Sequence, residues 1–532
     1  MRLHFFALLI LAFDHVSRLS HESLAADAVT KPNIVYILCD DLGYGDVHVL
    51  NPERGKIATP NIDRLASEAI TFTDAHSGSS VCTPTRYGIL TGRYAWRTHL
   101  QSGVLGGFSE PLIAKDRLTV GQLLKQQGYT TGCIGKWHLG MEFTQSNGAA
   151  KNKTAKNNDP AKVDYAAPLK DGPLQHGFDY YYGITASLDM PPFVFIENDR
   201  FTQLPTVEKQ WIRKGPAAQD FEAIDVLPTL TKKAVEFITK HANGTKLDGS
   251  KSEGIKSGQP FFLYIPLNSP HTPIVPTKEW QGKSGLGDYA DFVMETDWAI
   301  GQILAAIKTA GIENNTLVIF TSDNGCSPAA KPTELEAKGH FPSAQFRGYK
   351  ADIWEGGHHI PFLAKWPGKV QPGSRCETTI CLTDLLATCA DVLGQKLPDN
   401  AAEDSVSLLP LLRGEKNAKG HEAVVHHSIQ GMFAIRQANW KLELCAGSGG
   451  WGSPKDPQAI KEGLPEIQLY DMSKDIGERT NEGASHPEVV DKLTKLLQTY
   501  VTSGRSTPGA KQTNDAKIDV YKKVNGTKVP TE

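Results

Sequence analysis

The chain has 532 residues, of which 40% are hydrophobic and 22% charged, and its formal net charge at pH 7 is −3. This composition is typical of a globular protein with a large core and argues against a disordered chain. Because the charges nearly balance, the chain has no global basic field for nucleic acid or for an anionic membrane, and we expect any anion binding to be local.

The N-terminus has the pattern of a secretory signal peptide. A positive charge at Arg2 precedes an apolar run over 5–13 that is too short to span a bilayer, and small residues offer cleavage points near Ala26 or Ala28. We therefore expect residues 1–28 to be removed and the mature protein to be periplasmic, secreted or lumenal. A buried helix of the mature fold is the alternative. The rest of the sequence predicts no stable membrane insertion, because it has no other apolar run of membrane-helix length.

Apolar β-branched runs alternate with helical patterns from Asn33 to about Gly394. This alternation predicts an α/β fold in which a large, mostly parallel sheet carries helices on both faces. The clearest elements are strands at 33–39 (NIVYILC), 260–267 (PFFLYIPL) and 316–322 (TLVIFTS), and a helix from Asp288 to Ala310. Ligands of such sheets gather at the carboxyl ends of the strands, so the residues that follow these strands are candidates for a site.

After Gly394 the sequence changes to short strands and turns. Strand patterns lie within 422–429, 432–437, 441–445 and 467–472, and a helix is predicted from Pro487 to about Val501. We therefore expect a main domain over 31–394, a smaller α+β domain over 395–502 and a polar tail over 503–532 that frays. Long surface loops are expected at 144–172 and 241–259.

The eight cysteines are few for this length and include no CxxC pair with zinc spacing. Export would permit disulfides, and Cys376 and Cys381 are the nearest candidates, although the sequence does not fix a pairing. We expect most of the cysteines to be buried small hydrophobic residues. Cys82 differs from the others because its neighbours point to chemistry.

Oxygen-bearing side chains follow two of the predicted strands. Asp40 and Asp41 come at the end of the first strand, and Asp323 and Asn324 follow the third. Carboxylate and amide oxygens are the ligands that a hard cation prefers, and the lack of histidine among them favours Ca²⁺ or Mg²⁺ over zinc. A solvated acidic turn is the alternative for the aspartate pair.

Cationic and imidazole side chains appear in three further segments. Lys136 and His138 are two residues apart in GKWHLG, so an extended segment would place both on one face. His271 follows the second strand between two prolines in NSPHTP, and Lys350 precedes the glycine pair of EGG, which would allow close backbone approach. Alone, Lys136 with His138 more often marks a surface patch, a loop histidine such as His271 is usually exposed, and a solvated lysine is the alternative for Lys350.

The segment SSVCTPTRYGILTGRY, at 79–94, connects these observations. Pro84 suits the first turn of a helix, which would place Cys82 at the helix N-terminus, where backbone N–H groups favour anions. Arg86 adds a planar donor fork that matches phosphate or sulfate oxygens. A nucleophile, a cation and several cationic side chains around one strand-end crevice predict a site for a tetrahedral oxyanion.

The motif CTPTR followed by LTGRY matches the C-x-P-x-R signature of a known family. Together with DDLGYGD, GKWHLG, SDNG and EGG in the same order, it makes the sequence closely resemble the type I sulfatases of the alkaline phosphatase superfamily, over about 31–475. The resemblance makes 31–394 the catalytic domain and implies hydrolysis of sulfate esters. It also implies that a formylglycine-generating enzyme oxidises Cys82 to Cα-formylglycine. In the family, a hydroxyl of the hydrated aldehyde attacks sulfur, and elimination then releases sulfate.

The resemblance further implies a calcium site, with magnesium as the second choice of ion. The ligands carried over by position are Asp40, Asp41, Asp323, Asn324 and the modified Cys82. Such an ion would polarise the sulfate and favour ionisation of the attacking hydroxyl.

Roles for the remaining residues are also implied by the resemblance. Arg86 would orient the hydrated aldehyde, and Lys136 and Lys350 would bind sulfate oxygens. His271 would protonate the leaving alcohol, where charge develops in the transition state. His138 would take the proton of the second hydroxyl during the elimination.

Substrate choice is encoded less directly. The segment 176–200, HGFDYYYGITASLDMPPFVFIENDR, resembles the part that helps form the substrate pocket in carbohydrate sulfatases, with tyrosines to stack on sugars and Asp189 to bind hydroxyls. A sulfated sugar or polysaccharide, such as a galactose-type 6-sulfate, is therefore expected, and an ordinary packed loop is the alternative. His359 stands where many relatives carry arginine, which affects either local packing or a substrate contact.

Two rival functions follow from the same residues. A phosphoesterase or phosphonate monoester hydrolase of the same superfamily often carries histidine at the position of Asn324, so the asparagine favours the sulfatase. A non-catalytic binder of sulfated glycans would retain Cys82 as a thiol, which the complete set of catalytic positions argues against.

Overall fold

The computed structural model describes residues 31–146, 157–243 and 259–522. The predicted signal peptide, the end of the predicted tail and the inner parts of the two predicted loops lie outside these ranges. Within them, the strands are β1 (Asn33–Asp40), β2 (Ile70–Phe72), β3 (Ala75–His76), β4 (Thr130–Lys136), β5 (Tyr180–Ile184), β6 (Ile196–Glu197), β7 (Arg200–Phe201), β8 (Val207–Gln210), β9 (Lys214–Ala217), β10 (Phe261–Pro270), β11 (Thr316–Ser322), β12 (Phe362–Lys365), β13 (Arg375–Cys376), β14 (Ile380–Cys381), β15 (Val424–His427), β16 (Phe433–Gln437), β17 (Trp440–Glu443) and β18 (Gln468–Asp471).

The α-helices of the described chain are α1 (Pro60–Glu68), α2 (Cys82–Thr91), α3 (Val120–Gln126), α4 (Val226–Asn243), α5 (Asp288–Thr309), α6 (Pro332–Ala337), α7 (Glu355–His358), α8 (Leu385–Val392), α9 (Leu409–Leu412), α10 (Asp456–Lys461) and α11 (Pro487–Ser503). Helix α5 matches the prediction to within one residue at its C-terminus. The three clearest predicted strands, at 33–39, 260–267 and 316–322, correspond to β1, β10 and β11.

The main sheet has ten strands in the order β13-β2-β12-β11-β1-β10-β4-β5-β6-β7. Strand β1 pairs in parallel with β10 on one side and β11 on the other, and β4 and β5 continue the parallel part beyond β10. The pairs β11–β12, β12–β2, β5–β6 and β6–β7 are antiparallel. The α/β prediction with a mostly parallel sheet is therefore confirmed.

Strand β1 shows why the sheet is covered on both faces. Ile34, Tyr36 and Leu38 belong to one hydrophobic core, and the alternate residues Val35 and Ile37 belong to another. Successive side chains of a strand point to opposite faces, so a strand that is apolar at every position must be buried on both. Helices α4 and α5 pack on the face of Val35.

A four-stranded antiparallel sheet follows, in the order β15-β16-β17-β18. Helix α11 packs on it through Leu493 and Leu497, and Tyr94 and Trp96 of the main domain enter the same hydrophobic cluster. The smaller α+β domain is thus present, and its core is shared with the main domain. The boundary at 394/395 stays a prediction.

The expectation that the chain frays after residue 502 is wrong for the described part of the tail. Asp515 accepts hydrogen bonds from Arg93 at 3.0 and 3.2 Å, and Asn514 accepts one from Arg97 at 3.0 Å. Arg97 also donates to both oxygens of Asp404 at 2.7 Å. The two arginines are fully buried and need these acceptors, so the polar tail is held against the main domain by charge pairing.

All eight cysteines lie in the described ranges and all are free. Seven are buried, as expected for small hydrophobic residues, and the candidate pair Cys376 and Cys381 is not bridged. In the part of the chain that the structure describes, none of the helices has the length and apolar character that crossing a bilayer requires.

Gly135 in β4 offers a test of this packing. Its φ is +143°, and a Cβ there would lie 1.9 Å from the carbonyl oxygen of Pro266 on β10. Gly135→Ala should therefore force β4 away from β10 and lower the urea midpoint strongly. In the control Gly128→Ala, φ is +82° and nothing lies within 4 Å, so we expect only the cost of about 1–2 kcal/mol for a left-handed alanine. An equal decrease of the urea midpoint in the two variants would contradict the close β4–β10 contact at Gly135.

Candidate active site

Four neighbouring strands bring their carboxyl ends to one edge of the main sheet, in the order β11, β1, β10, β4. Asp323 follows β11, Asp40 ends β1 with Asp41 directly after it, His271 follows β10, and Lys136 ends β4. The parallel register therefore brings together residues that are far apart in the sequence.

Cys82 is the first residue of α2, and Pro84 lies in the first turn, as predicted. The cysteine side chain is buried among the other candidate residues. One carboxylate oxygen each of Asp40 and Asp41, the Cys82 sulfur and one ring nitrogen of His271 all lie within 4.8 Å of one another. A candidate nucleophile, two acidic groups and a candidate proton donor thus share one small volume.

Arg86 lies one turn after Cys82 on α2 and is fully buried. Its Nε and Nη2 donate to Asp323 Oδ2 at 3.1 and 2.7 Å, and its Nη1 donates to the carbonyl oxygen of Lys136 at 3.2 Å. The donor fork that the sequence assigned to phosphate or sulfate oxygens is used inside the protein, where it ties α2 to the ends of two strands. Any effect of Arg86 on substrate is therefore one of positioning in this arrangement.

Two buried lysines compensate the aspartate pair. Lys136 Nζ donates to Asp40 Oδ2 at 2.7 Å, and Lys350 Nζ donates to Asp41 Oδ2 at 3.0 Å. Burial would raise the pKa of Asp40, but Lys136 and His271 hold it well below its usual range. Asp40 is therefore a carboxylate, able to bind a cation.

The donor set at this edge fits a hard cation. Asn324 Nδ2 donates to Asp41 Oδ1 at 2.7 Å, which turns the amide oxygen of Asn324 the other way. That oxygen and Asp40 Oδ1 are buried and have no hydrogen-bond partner among the described residues, although Arg86 Nη2 lies 3.4 Å from Asp40 Oδ1 as an ion-pair partner. Burial and the charge of Asp40 raise the pKa of Asp323 to about 6, in spite of the attraction to Arg86. Orphaned oxygens and crowded carboxylates are what an oxygen-liganded divalent ion would satisfy.

His271 presents its Nε2 to the site. Its Nδ1 lies 2.6 Å from the carbonyl oxygen of Thr272, to which it donates, and its Nε2 lies 3.7 Å from Asp41 Oδ2. Burial and Lys350 oppose a charge on the ring, but Asp41 and Asp40 outweigh them and raise the pKa of His271 to about 10. His271 is thus arranged as a protonated imidazolium, the form that a general acid needs.

His138 has the opposite character. Its Nε2 lies 2.7 Å from the carbonyl oxygen of Leu105, to which it donates, so Nδ1 is unprotonated. Burial, followed by repulsion from Lys136 and Arg86, holds the pKa of His138 well below its usual range. Nδ1 is buried with no hydrogen-bond partner in the described chain, and the residue has a left-handed φ of 57°. Strained backbone at such a position is typical of functional sites.

A sequence model of the family described as Sulfatase matches residues 32–395. The chain belongs to the sulfatase family. It is a type I sulfatase of the alkaline phosphatase superfamily, and therefore an enzyme that hydrolyses sulfuric esters.

Two relatives illustrate how much of the sulfatase is covered. The N-acetylgalactosamine-6-O-sulfatase of Bacteroides thetaiotaomicron is 32% identical over 523 residues, which cover 89% of this chain and 93% of the relative. Human arylsulfatase A is 32% identical over 505 residues, which cover 89% and 90% of the two chains.

Solved structures agree with the fold of the sulfatase. One from work on the metabolism of multiple glycosaminoglycans by Bacteroides thetaiotaomicron has a TM-score of 0.74 and 31% identity, and the match covers 88% of this chain and 99% of that one. The structure of Ps i-CgsB, at 24% identity and a TM-score of 0.64, covers 88% and 92% of the two chains and shows the fold alone.

The predicted pocket segment of the sulfatase carries an ion pair that the sequence did not reveal. Asp189 is buried and pairs with Arg213, whose side chain is 34% exposed, and its Oδ1 has no hydrogen-bond partner in the described chain. Arg213 lies in the turn between β8 and β9, a segment with no motif. Arg213 reaches Asp189 only because the β8–β9 hairpin folds back toward it, and sequence periodicity does not predict such a contact.

Asn268 is a second polar residue that sequence reasoning missed. It lies in β10, three positions before His271, and is buried with neither amide atom hydrogen-bonded within the described ranges. The segment NSPHTP contained it, but a single asparagine in a predicted strand carries no signal of its own.

His359, which replaces the arginine of many relatives, has a packing role in the sulfatase. Its ring nitrogens lie 2.8 Å from Glu355 Oε2 and 3.0 Å from the carbonyl oxygen of Thr73, and the ring stacks on Phe346 at 3.9 Å. The neighbouring Gly356 confirms the expected close approach, because a Cβ there would lie 2.1 Å from the carbonyl oxygen of Gly348.

Proposed function

We propose that this sulfatase removes sulfate from sulfated sugars or polysaccharides, with Cys82 converted to Cα-formylglycine and Ca²⁺ held by Asp40, Asp41, Asp323, Asn324 and residue 82. The observation that carries the proposal is the convergence of the Cys82 sulfur, Asp40, Asp41 and His271 within 4.8 Å. When present, the ion would polarise the sulfate group, and the hydrated aldehyde would supply the hydroxyl that attacks sulfur.

Two histidines divide the proton transfers. His271 donates from Nε2, the ring nitrogen that faces Asp41, to the ester oxygen as the S–O bond breaks. His138, kept neutral with Nδ1 unprotonated, accepts a proton from the modified side chain when sulfate leaves. Environments that push the pKa values of two histidines in opposite directions support an acid and a base at the same pH.

The two lysines bind the anionic substrate. Lys136 and Lys350 already contact the aspartate pair on either side of the site, so both have an ammonium group where the charge of a sulfate would be placed. Arg86 fixes the position of Asp323 and of the Lys136 backbone. The chain's own cations therefore neutralise a group that would otherwise be repelled by the carboxylates.

A sugar 6-sulfate is the substrate that the relatives support. The Bacteroides thetaiotaomicron relative is named N-acetylgalactosamine-6-O-sulfatase, as is a mouse relative at 28% identity, N-acetylgalactosamine-6-sulfatase. Asp189, with one oxygen unpartnered in the described chain, is the candidate for binding a sugar hydroxyl. A phosphoesterase is disfavoured because Asn324 replaces the histidine that is frequent in those relatives.

Export and maturation complete the proposal. Residues 1–28 would direct the chain to a periplasmic, secreted or lumenal location, and a formylglycine-generating enzyme would act on Cys82. N-terminal sequencing of the mature protein tests the first step, and a retained Met1 would contradict it.

Cys82 provides the direct test of the proposed function. The peptide containing residue 82 should have the mass expected when oxygen replaces the sulfur and two hydrogens, and the protein should desulfate N-acetylgalactosamine 6-sulfate more efficiently than it cleaves the matching phosphate ester. Cys82→Ser should lose steady turnover, because a serine alcohol lacks the second hydroxyl needed for elimination. An intact thiol in a fully active preparation would exclude the formylglycine route.

Calcium binding is tested by removal and return of the ion. Chelation should abolish turnover and lower Tm, and Ca²⁺ alone should restore both, because a ligand that binds only the folded state stabilises it. Asp41→Asn should show little response of Tm to added Ca²⁺. Full activity in thoroughly calcium-free protein would remove the ion from the proposal.

His271 should matter most when the leaving group is a poor one. His271→Ala should reduce kcat/KM for an alkyl sugar sulfate by about 10²–10⁴-fold, because general acid catalysis contributes that much, and should affect an aryl sulfate far less. His48→Ala, at a surface position, is the control and should leave kcat/KM unchanged for both substrates. Equal losses on both substrates would assign His271 a role other than proton donor.

A further inference from the structure

A cluster of three histidines lies outside the site just described. His76 ends β3, His358 ends α7 and His426 lies in β15, and the three side chains are fully buried. One ring nitrogen from each lies within 4.8 Å of the others. The cluster is built from the segment before Cys82, the segment after Lys350 and the C-terminal sheet.

The outer nitrogen of each ring lies near an oxygen that only accepts hydrogen bonds, and Arg436 Nη1, which only donates, also lies 3.2 Å from His76 Nε2. His76 Nε2 lies 2.8 Å from Asp74 Oδ1, His358 Nε2 lies 3.0 Å from the carbonyl oxygen of Ile353, and His426 Nδ1 lies 3.1 Å from the carbonyl oxygen of Ser77. With protons on these outer nitrogens, the inner nitrogens retain their lone pairs. Metal-binding histidines are held in this way by carboxylates and backbone carbonyls.

The inner nitrogens of His76 and His358 face each other. His76 Nδ1 and His358 Nδ1 are 3.1 Å apart, so they share a hydrogen bond when one of them carries a proton, and they repel when neither does unless a cation lies between them. His426 Nε2 is buried with no hydrogen-bond partner within the described ranges. Tetrahedral zinc, with Zn–N bonds of about 2.0–2.1 Å, places its ligand nitrogens about 3.3 Å apart.

The surrounding charges favour a cation. Arg436 contacts Asp74 and Glu355, and Lys441 contacts Glu355, Glu443 and Glu478. Burial, with the charges of Glu443 and Glu355, raises the pKa of Glu478 well above its usual range, so among the described residues the other three carboxylates face two permanent cations in a buried region. Burial lowers the pKa of all three histidines, which keeps them in the neutral form that binds metal.

We propose that His76, His358 and His426 bind one zinc ion, with a water or Glu355 in the fourth position. The rings of His358 and His426 stack in parallel at 3.9 Å, so their nitrogens are adjacent but not aimed at one point. Ion binding would require His426 to turn out of the stack, which also moves its Nδ1 relative to the carbonyl oxygen of Ser77. Imidazole ligands and a closed, buried position are typical of structural zinc.

Such an ion would join the C-terminal sheet to the segment that carries the nucleophile. The backbone N–H of Ser80 donates to the carbonyl oxygen of His427 at 3.1 Å, so β15 already contacts the residues just before Cys82. The zinc would stabilise this contact between β15 and the segment before Cys82 through the side chain of His426, the residue next to His427. It does not depend on the proposed substrate or on formylglycine.

The rival arrangement is a metal-free chain of hydrogen bonds. Lys441 Nζ lies 3.1 Å from His358 Nε2, and donation there would leave His358 Nδ1 protonated and shared with His76. The two arrangements differ in their zinc content, which can be measured directly.

The experiment uses the full mature chain, produced and refolded with zinc, and measures zinc per chain after desalting. We expect an equimolar amount, and an X-ray absorption shell of nitrogen ligands at about 2.0–2.1 Å. His426→Gln should lose the zinc while its calcium content is unchanged. His427→Gln, a buried histidine next to it on the same strand, is the matched control and should retain the zinc.

Two results would overturn the proposal. One is substoichiometric zinc in the wild-type chain, which would support the hydrogen-bonded arrangement. The other is equal zinc in His426→Gln and His427→Gln, which would place the ion elsewhere. If His426→Gln does not fold, the absorption spectrum of the wild-type protein decides, because an oxygen-dominated or sulfur-dominated shell excludes three histidine ligands.

Discussion

The parallel pairing of β11, β1, β10 and β4 is the constraint on which the rest of the structure depends. Because these strands run in the same direction, each delivers a buried residue at or just after its carboxyl end to the same edge. The carboxylates, the lysine and the histidine meet there although they come from segments that are far apart in the sequence. Arg86 ties helix α2, and with it Cys82, to the same edge through Asp323 and the carbonyl oxygen of Lys136.

The site is an assembly of opposed charges on buried side chains. Asp40 and Asp41 are paired with Lys136 and Lys350, while orphaned oxygens of Asp40 and Asn324 remain. The same carboxylates that would attract a cation also raise the pKa of His271, and a bound cation would oppose that effect. Metal binding, substrate charge and proton supply are therefore set by one group of side chains, and a substitution of one member would affect the others.

The sequence predicted those parts of the molecule that local patterns determine. The apolar run at 33–39 identified β1 because a strand buried on both faces has no polar position, and the strand ends identified the site because ligands gather there. The sequence did not predict which acceptors the Arg86 side chain donates to, or that part of the tail packs against the main domain. Both depend on which buried charge finds which acceptor after the chain has folded, and no local pattern encodes that choice. The pairing of Asp189 with Arg213 and the three-histidine cluster belong to the same class.

The docked tail also sets an order of events in biosynthesis. Arg93 and Arg97, which closely follow α2, donate hydrogen bonds to Asp515 and Asn514. These contacts can therefore form only after residues 514 and 515 have been synthesised. Cys82 is 2% exposed in the folded chain, which is too little for another enzyme to reach its sulfur. Any maturation of this residue must therefore take place before the fold around it is complete.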